Sequence, residues 1–255
     1  MAVVKIGSVP IGGKEIVVIA GPCSVESEEQ LLSTARAVKK AGAGVLRGSV
    51  FKPRSSPGAF QGLGEKGIGF LLKAKKESGL PIVSELMDSS QIFVLQDAVD
   101  CFQVGARSSQ NFELLKRLGK TGKPVILKNG LGSTAKEFVS AAGYLPPEKA
   151  ILCLRGIRSF ETETRFTLDL GLIPVLKKLC DFPIVVDPSH AAGKRGLVPA
   201  LAMAAIAAGA DGLLIEAHPS PEKALSDSSQ QLNFSEFEDL MQKLKKVASA
   251  VGRKI

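Results

Sequence analysis

The 255-residue chain has no tryptophan, one tyrosine (Tyr144) and two histidines. Proteins that bind single-stranded nucleic acid rely on aromatic stacking platforms. Their scarcity here, with no long Lys/Arg block, argues against a nucleic-acid partner. The four cysteines (Cys23, Cys101, Cys153, Cys180) are scattered without paired spacing. That excludes a disulfide scaffold and fits a reducing cytoplasm. No apolar run reaches the roughly 18 residues that span a bilayer, and the Ala-rich stretch Ala200 to Ala210 is too short, so no membrane partner is expected. The opening MAVVKIGSVPIGGKE lacks the series of basic region, apolar core and cleavage site that marks a secretory signal.

The composition itself is that of an ordinary globular protein, 45% apolar and 23% charged. Lys and Arg number 33 against 25 acids, a net charge of +8. With nucleic acid disfavoured, this excess suits a small anionic substrate.

Eight short apolar runs alternate with amphipathic stretches: 15–22, 44–51, 80–86, 101–106, 124–130, 150–156, 183–190 and 212–218. Each is almost continuously apolar, as strands buried on both faces are. Between them lie helical stripes such as Leu31, Leu32, Ala35 and Val38, and Leu168, Leu172, Val175, Leu176 and Leu179. The last helix carries Phe234, Phe237, Leu240, Met241, Leu244 and Val247. Ser27 with Gln30 and Thr134 with Glu137 have capping-box spacing, and Gly42, Gly79 and Gly122 mark helix stops. Eight strand–helix repeats predict a (β/α)8 TIM barrel. An open doubly wound sheet is the alternative, but GPCSVES (21–27) lacks its glycine fingerprint. Residues 1–14 read as a short N-terminal β-hairpin able to plug the barrel's N-terminal mouth. The expected organisation is a single catalytic domain over 1–255 with no regulatory domain, and a rate indifferent to Phe, Tyr and Trp.

The active site of such a barrel lies at the C-terminal ends of its strands. In chain order those ends carry Cys23, Arg47 (then Lys52 and Arg54), Glu85, Arg107, Lys128, Arg155, Asp187 with His190, and Glu216 followed by Asp227. Six basic residues from four strands thus converge on one mouth, enough charge for two phosphates and a carboxylate. Cys23, His190, Glu216 and Asp227 come from strands that adjoin in a closed barrel. Their mixed S/N/O donors suit a divalent transition metal, although a buried inert thiol is the plainer reading of Cys23. Lys128 permits a different chemistry, a Schiff base with a carbonyl substrate. The other three cysteines read as packing.

Several long motifs occur in order: GPCSVES (21–27), LRGSVFKPRSSP (46–57), FQGLGEKG (60–67), GARSSQNF (105–112), RGIRSFETETRFTLDL (155–170), DPSHAAGKR (187–195) and IEAHPSPEKALSDSSQQL (215–232). In these the chain resembles the 3-deoxy-D-arabino-heptulosonate 7-phosphate (DAHP) synthases, in the short branch related to the 3-deoxy-D-manno-octulosonate 8-phosphate (KDO8P) synthases. The resemblance runs from about Ile16 to the last helix. It implies condensation of phosphoenolpyruvate with erythrose 4-phosphate to give DAHP and phosphate, the first step of the shikimate route to aromatic amino acids. It further implies a divalent metal ion, manganese, iron or zinc, on Cys23, His190, Glu216 and Asp227. Phosphoenolpyruvate maps onto Arg47, Lys52, Arg107, Lys128 and Arg155, and the acceptor's phosphate onto Arg54 and Ser55. Lys52, His190 and Cys23 take the catalytic roles in this mapping, and Glu85 is a candidate to activate water. The expected assembly is a homodimer or homotetramer.

Departures from the family pattern are Ser108, where asparagine is expected, Asn129, where a basic residue is common, and Leu154, where an acid is usual. His218 is a candidate for a supporting role beside Glu216. The competing activity is KDO8P synthase, which uses arabinose 5-phosphate and typically carries KANRSS where this chain has KPRSS (52–56). Pro53 fixes the loop for a shorter acceptor. A non-catalytic polyanion binder is the rival from another class.

Overall fold

The structure, a computed structural model, describes residues 2–255. It opens with an antiparallel hairpin of β1 (Val4–Ile6) and β2 (Val9–Ile11). Eight parallel strands follow: β3 (Val17–Gly21), β4 (Val45–Arg47), β5 (Ile82–Leu86), β6 (Cys101–Val104), β7 (Val125–Lys128), β8 (Ala150–Leu154), β9 (Ile184–Val186) and β10 (Gly212–Glu216). They close into a barrel, with β10 pairing to β3. Closure settles the choice against an open doubly wound sheet. Every residue of these eight strands is buried, which is why each run reads as continuously apolar.

Around the barrel lie α1 (Glu28–Ala41), α2 (Ile68–Ser78), α3 (Ser90–Leu95), α4 (Phe112–Gly119), α5 (Ala135–Ala142), α6 (Leu172–Leu179), α7 (Pro188–Ala192), α8 (Val198–Ala207) and α9 (Phe234–Ala250). Among the described residues no helix is long and apolar enough to cross a membrane. The α1 stripe of Leu31, Leu32, Ala35 and Val38 is buried, as its spacing predicts. Each of the leucine and valine side chains contributes roughly 1.5–3 kcal/mol on removal from water. Ser27 Oγ accepts from Gln30 N at 3.1 Å, but the Gln30 side chain turns to Ser24 and Glu26, so the box is not reciprocal. Thr134 and Glu137 form a complete box, as do Asn233 and Glu236 at the start of α9. Gly42 and Gly79 end α1 and α2 in the left-handed region, whereas Gly122 lies in the turn beyond α4.

One stripe is corrected. In α6 the buried residues are Ile173 and Leu176, while Val175 and Leu179 are exposed, and Leu168 precedes the helix. The apolar arc of LIPVLKKL is wider than the face that packs, and periodicity marks the arc without saying which of its edges is covered.

The hairpin plugs the barrel floor. Val4, Ile6 and Ile11 pack in one cluster with the inward side chains Val17, Ile19, Val45, Val83, Cys101, Ile126, Ile151, Cys153, Val185 and Leu214. Side chains two residues apart on a strand share a face. Continuing each inward row by one such step leads from Val45 to Arg47, Val83 to Glu85, Ile126 to Lys128, Cys153 to Arg155, Val185 to Asp187 and Leu214 to Glu216. The apolar floor therefore dictates which strand-end residues meet at the opposite mouth.

Candidate active site

Cys23, just past β3, and Glu216, the last residue of β10, are fully buried. Gly21 lets the first of these segments pass close to β4: a Cβ there would meet the Arg47 carbonyl oxygen at 2.0 Å. His190 sits in α7, whose start is fixed by Asp187, with Oδ1 accepting from His190 N at 2.9 Å and Pro188 at the first turn. Asp227 lies in the loop after β10 and, at φ 48°, is the single non-glycine residue with positive φ among those described. Such strain persists only where the surroundings hold it.

These four residues present one ligand atom each within 4.8 Å of one another. Cys23 Sγ lies 3.2 Å from Asp227 Oδ2, and His190 Nε2 lies 3.3 Å from Glu216 Oε1 and 3.5 Å from Asp227 Oδ2. On the other side of the ring, His190 Nδ1 lies 2.7 Å from Asp187 Oδ2, an ion-pair distance. Burial, then the Glu216 charge, pushes the Cys23 thiol up to about 12. A nearby divalent cation reverses that balance and draws out the thiolate. One sulfur, one imidazole and two carboxylates at this spacing fit a divalent metal ion.

Beside this group opens a cleft of about 320 Å³ lined by Lys52, Arg54, Arg107, Lys128, Arg155, Arg158 and Arg165, with Glu85 and Asp227 as its carboxylates. Lys52 Nζ pairs with Glu85 at 3.0 Å. Burial would raise the Glu85 carboxyl, but Lys52, Lys128 and Arg47 more than offset it and hold the group below its ordinary range. Gly105 makes room for it, since a Cβ there would meet Glu85 Oε1 at 2.2 Å. Arg107 Nη2 donates to Ser55 Oγ at 3.1 Å, which joins the two halves of the cleft. The Arg155 guanidinium lies 3.6 Å over the Phe166 ring. Burial first, then its neighbours Arg165 and Arg107, lowers it to about 10 against the opposing pull of Asp187, so it remains a cation at neutral pH. Arg54 Nη1 and Arg155 Nη1 are buried donors without a protein partner. Orphaned guanidinium donors among excess cations call for anionic oxygens.

Several expected residues take other places. Arg47 is fully buried and does not line the cleft; its guanidinium pairs with Glu216. Burial would lower Arg47, yet the Glu216 charge raises it, so it stays charged. Lys128 lines the cationic cleft, but its Nζ is held by Asp187 Oδ2 at 2.5 Å rather than standing free as an attacking amine must. His218 is turned away, with Nδ1 accepting from Ser220 N at 3.1 Å and Nε2 lying 3.4 Å from Glu26. Asn129 supports Arg155 by accepting its backbone N–H at 2.7 Å. Cys101 and Cys153 pack in the barrel floor, as expected. Sequence reasoning missed Arg158, Arg165 and Gln230. A signal for the first two was present in RGIRSFETETRF, where three arginines follow β8 closely.

A closed (β/α)8 barrel with a metal-type donor group beside a cationic cleft at its strand ends defines a class: a barrel built to act on a small anionic substrate with a divalent ion at hand. A model of the DAHP synthetase I family matches residues 2–253, and the chain belongs to that family. It is 47% identical over 99% of its length to a phospho-2-dehydro-3-deoxyheptonate aldolase of Thermotoga maritima, of which it covers 76%. The crystal structure of a Thermotoga maritima DAHP synthase superposes with a TM-score of 0.95 at 47% identity, covering 99% of this chain and 75% of that one. A 2-dehydro-3-deoxyphosphooctonate aldolase of Desulfotalea psychrophila is 31% identical, with 94% of this chain and 92% of that protein covered.

Proposed function

We propose that the chain condenses phosphoenolpyruvate with erythrose 4-phosphate and water to give DAHP and inorganic phosphate. The observation that carries this reading is the pair of orphaned donors, Arg54 Nη1 and Arg155 Nη1, in a cleft with the metal-type group at its edge. Arg155 and Arg107 grip the phosphate of phosphoenolpyruvate, and Lys128 faces its carboxylate. Arg54 and Ser55 take the acceptor's phosphate. When bound by Cys23, His190, Glu216 and Asp227, a divalent ion supplies Lewis-acid polarisation of the acceptor's carbonyl oxygen. Manganese, iron or zinc suits this donor set. The nucleophilic carbon of phosphoenolpyruvate forms the new C–C bond to the aldehyde carbon. Lys52 Nζ stabilises the charge that develops on the aldehyde oxygen and donates it a proton, which Glu85, 3.0 Å away, returns to Lys52 once it has taken one from the water. Glu85, held ionised beside Lys52, orients the water that adds to C2 and accepts its proton. The C2–O bond to phosphate then breaks and inorganic phosphate leaves. Arg47, beneath the cleft, keeps Glu216 charged and aimed.

The barrel and its plug act as one catalytic unit in this reading. A cytoplasmic location is supported by the four unpaired cysteines. Assembly as a homodimer or homotetramer is supported by Val175 and Leu179, apolar side chains exposed one turn apart on α6. Phosphoenolpyruvate consumption by the purified protein tests the activity: erythrose 4-phosphate should far outpace arabinose 5-phosphate. The reverse ranking would transfer the chain to the KDO8P reaction.

A further inference from the structure

Arg165 and Gln230 lie just outside the metal-type group and touch both of its carboxylates. Gln230 is 1% exposed. Its Nε2 donates to Glu216 Oε2 at 2.6 Å, and its Oε1 accepts from Arg165 Nη1 at 3.0 Å. The same Nη1 lies 3.3 Å from Asp227 Oδ1. The oxygens are thereby divided. Glu216 Oε1, which also accepts from the Arg47 guanidinium beneath, and Asp227 Oδ2 face His190 Nε2, while Oε2 and Oδ1 are held from behind. We infer that Arg165 and Gln230 are positioning residues, a strap that holds Glu216 and Asp227 in the converging arrangement a divalent ion requires and so sets metal affinity. The inference rests on the metal reading above.

Physical need for a strap is evident at Asp227. Its backbone occupies the left-handed region, which a non-glycine residue keeps only under outside constraint. Two carboxylates aimed at one point also repel each other, and a guanidinium behind them offsets that repulsion without covering the inward oxygens. The backbone is arranged to deliver the strap. Arg165 N donates to the Ala192 carbonyl and Phe166 N to that of Ala191, which fixes the segment against α7, the helix that carries His190. Gly193 clears the space: a Cβ there would lie 2.5 Å from Arg165 Cβ, and its φ of +66° disfavours any other residue. Ser229 Oγ donates to the Gly193 carbonyl at 2.9 Å, which ties the Asp227 loop to the same point. The strap thus joins three segments that bear ligands or face them. Arg165 also lines the anion cleft, so it is where the substrate cradle and the metal group touch.

The test is metal titration of chelator-stripped full-length protein, with Mn²⁺ followed by calorimetry and Co²⁺ by its thiolate absorption band. The variants are Gln230→Leu, Arg165→Ala and Arg165→Lys, with circular dichroism as the check on folding. Gln230→Leu and Arg165→Ala should weaken Mn²⁺ binding about 10- to 100-fold. Arg165→Lys should fall between, because it keeps the positive charge while its shorter side chain and rotatable ammonium lose the fixed reach and planar geometry of the guanidinium. The thiolate–Co²⁺ band should still develop at saturation, since Cys23 is untouched. Affinities within twofold of the parent in all variants would overturn the strap while leaving the metal reading intact. A parent protein that binds neither ion would overturn the metal reading and the strap with it. Should Gln230→Leu fold poorly, the two variants at the partly exposed Arg165 decide the matter.

Discussion

The two ends of the barrel are made by the same strands and differ by a single two-residue step. At the floor, Val45, Val83, Ile126, Cys153, Val185 and Leu214 point inward and meet the hairpin's Val4, Ile6 and Ile11. One step on, the same rows carry Arg47, Glu85, Lys128, Arg155, Asp187 and Glu216, all buried and charged. A buried charge is costly unless paired. Arg47 pairs with Glu216, Lys52 with Glu85 and Lys128 with Asp187. Arg155 has only an aromatic face and an orphaned Nη1. Stability is thus concentrated at the floor, and unmet electrostatic demand at the mouth, where a substrate can satisfy it.

The sharpest way to break this division is at the mouth. Cys23→Ala removes one donor of the metal-type group and leaves the floor untouched. We expect activity to fall about a thousandfold or more, with an unchanged circular dichroism spectrum. Loss of the fold would show that Cys23 serves packing instead. A smaller effect is expected at the substrate cradle. Arg155→Ala removes charge-assisted hydrogen bonds worth roughly 1.5–3 kcal/mol, so kcat/KM for phosphoenolpyruvate should drop by about 10- to 100-fold. Steady-state kinetics at saturating acceptor checks this, and an unchanged kcat/KM would remove Arg155 from the cradle. At the floor the effect on catalysis should vanish. Ile6→Ala should cost about 2–5 kcal/mol of stability, read as a lower Tm, with kcat unaltered at temperatures where the variant stays folded. A fall in kcat there would mean that the two ends are coupled.

The same division explains how much was legible in the sequence. Floor and wall residues repeat as near-continuous apolar runs, so the eight strands and the plugging hairpin could be placed by pattern alone. The strand-end residues followed from the architecture, because a barrel puts every strand's C-terminus at one mouth. Arg158, Arg165 and Gln230 escaped because they sit in loops, where no periodicity fixes direction. Arg47 was correctly placed at a strand end, yet its side chain turns beneath the cleft to Glu216, a choice set by tertiary charge pairing. The α6 stripe misled because only one edge of its apolar arc, Ile173 and Leu176, packs against the barrel.

The most direct measurement is phosphoenolpyruvate consumption with erythrose 4-phosphate before and after a strong chelator, followed by added Mn²⁺, with borohydride trapping in parallel. The account predicts that chelation abolishes turnover, that Mn²⁺ restores it, and that no substrate becomes bonded to Lys128. Turnover that survives chelation, with a trapped adduct on Lys128, would contradict it.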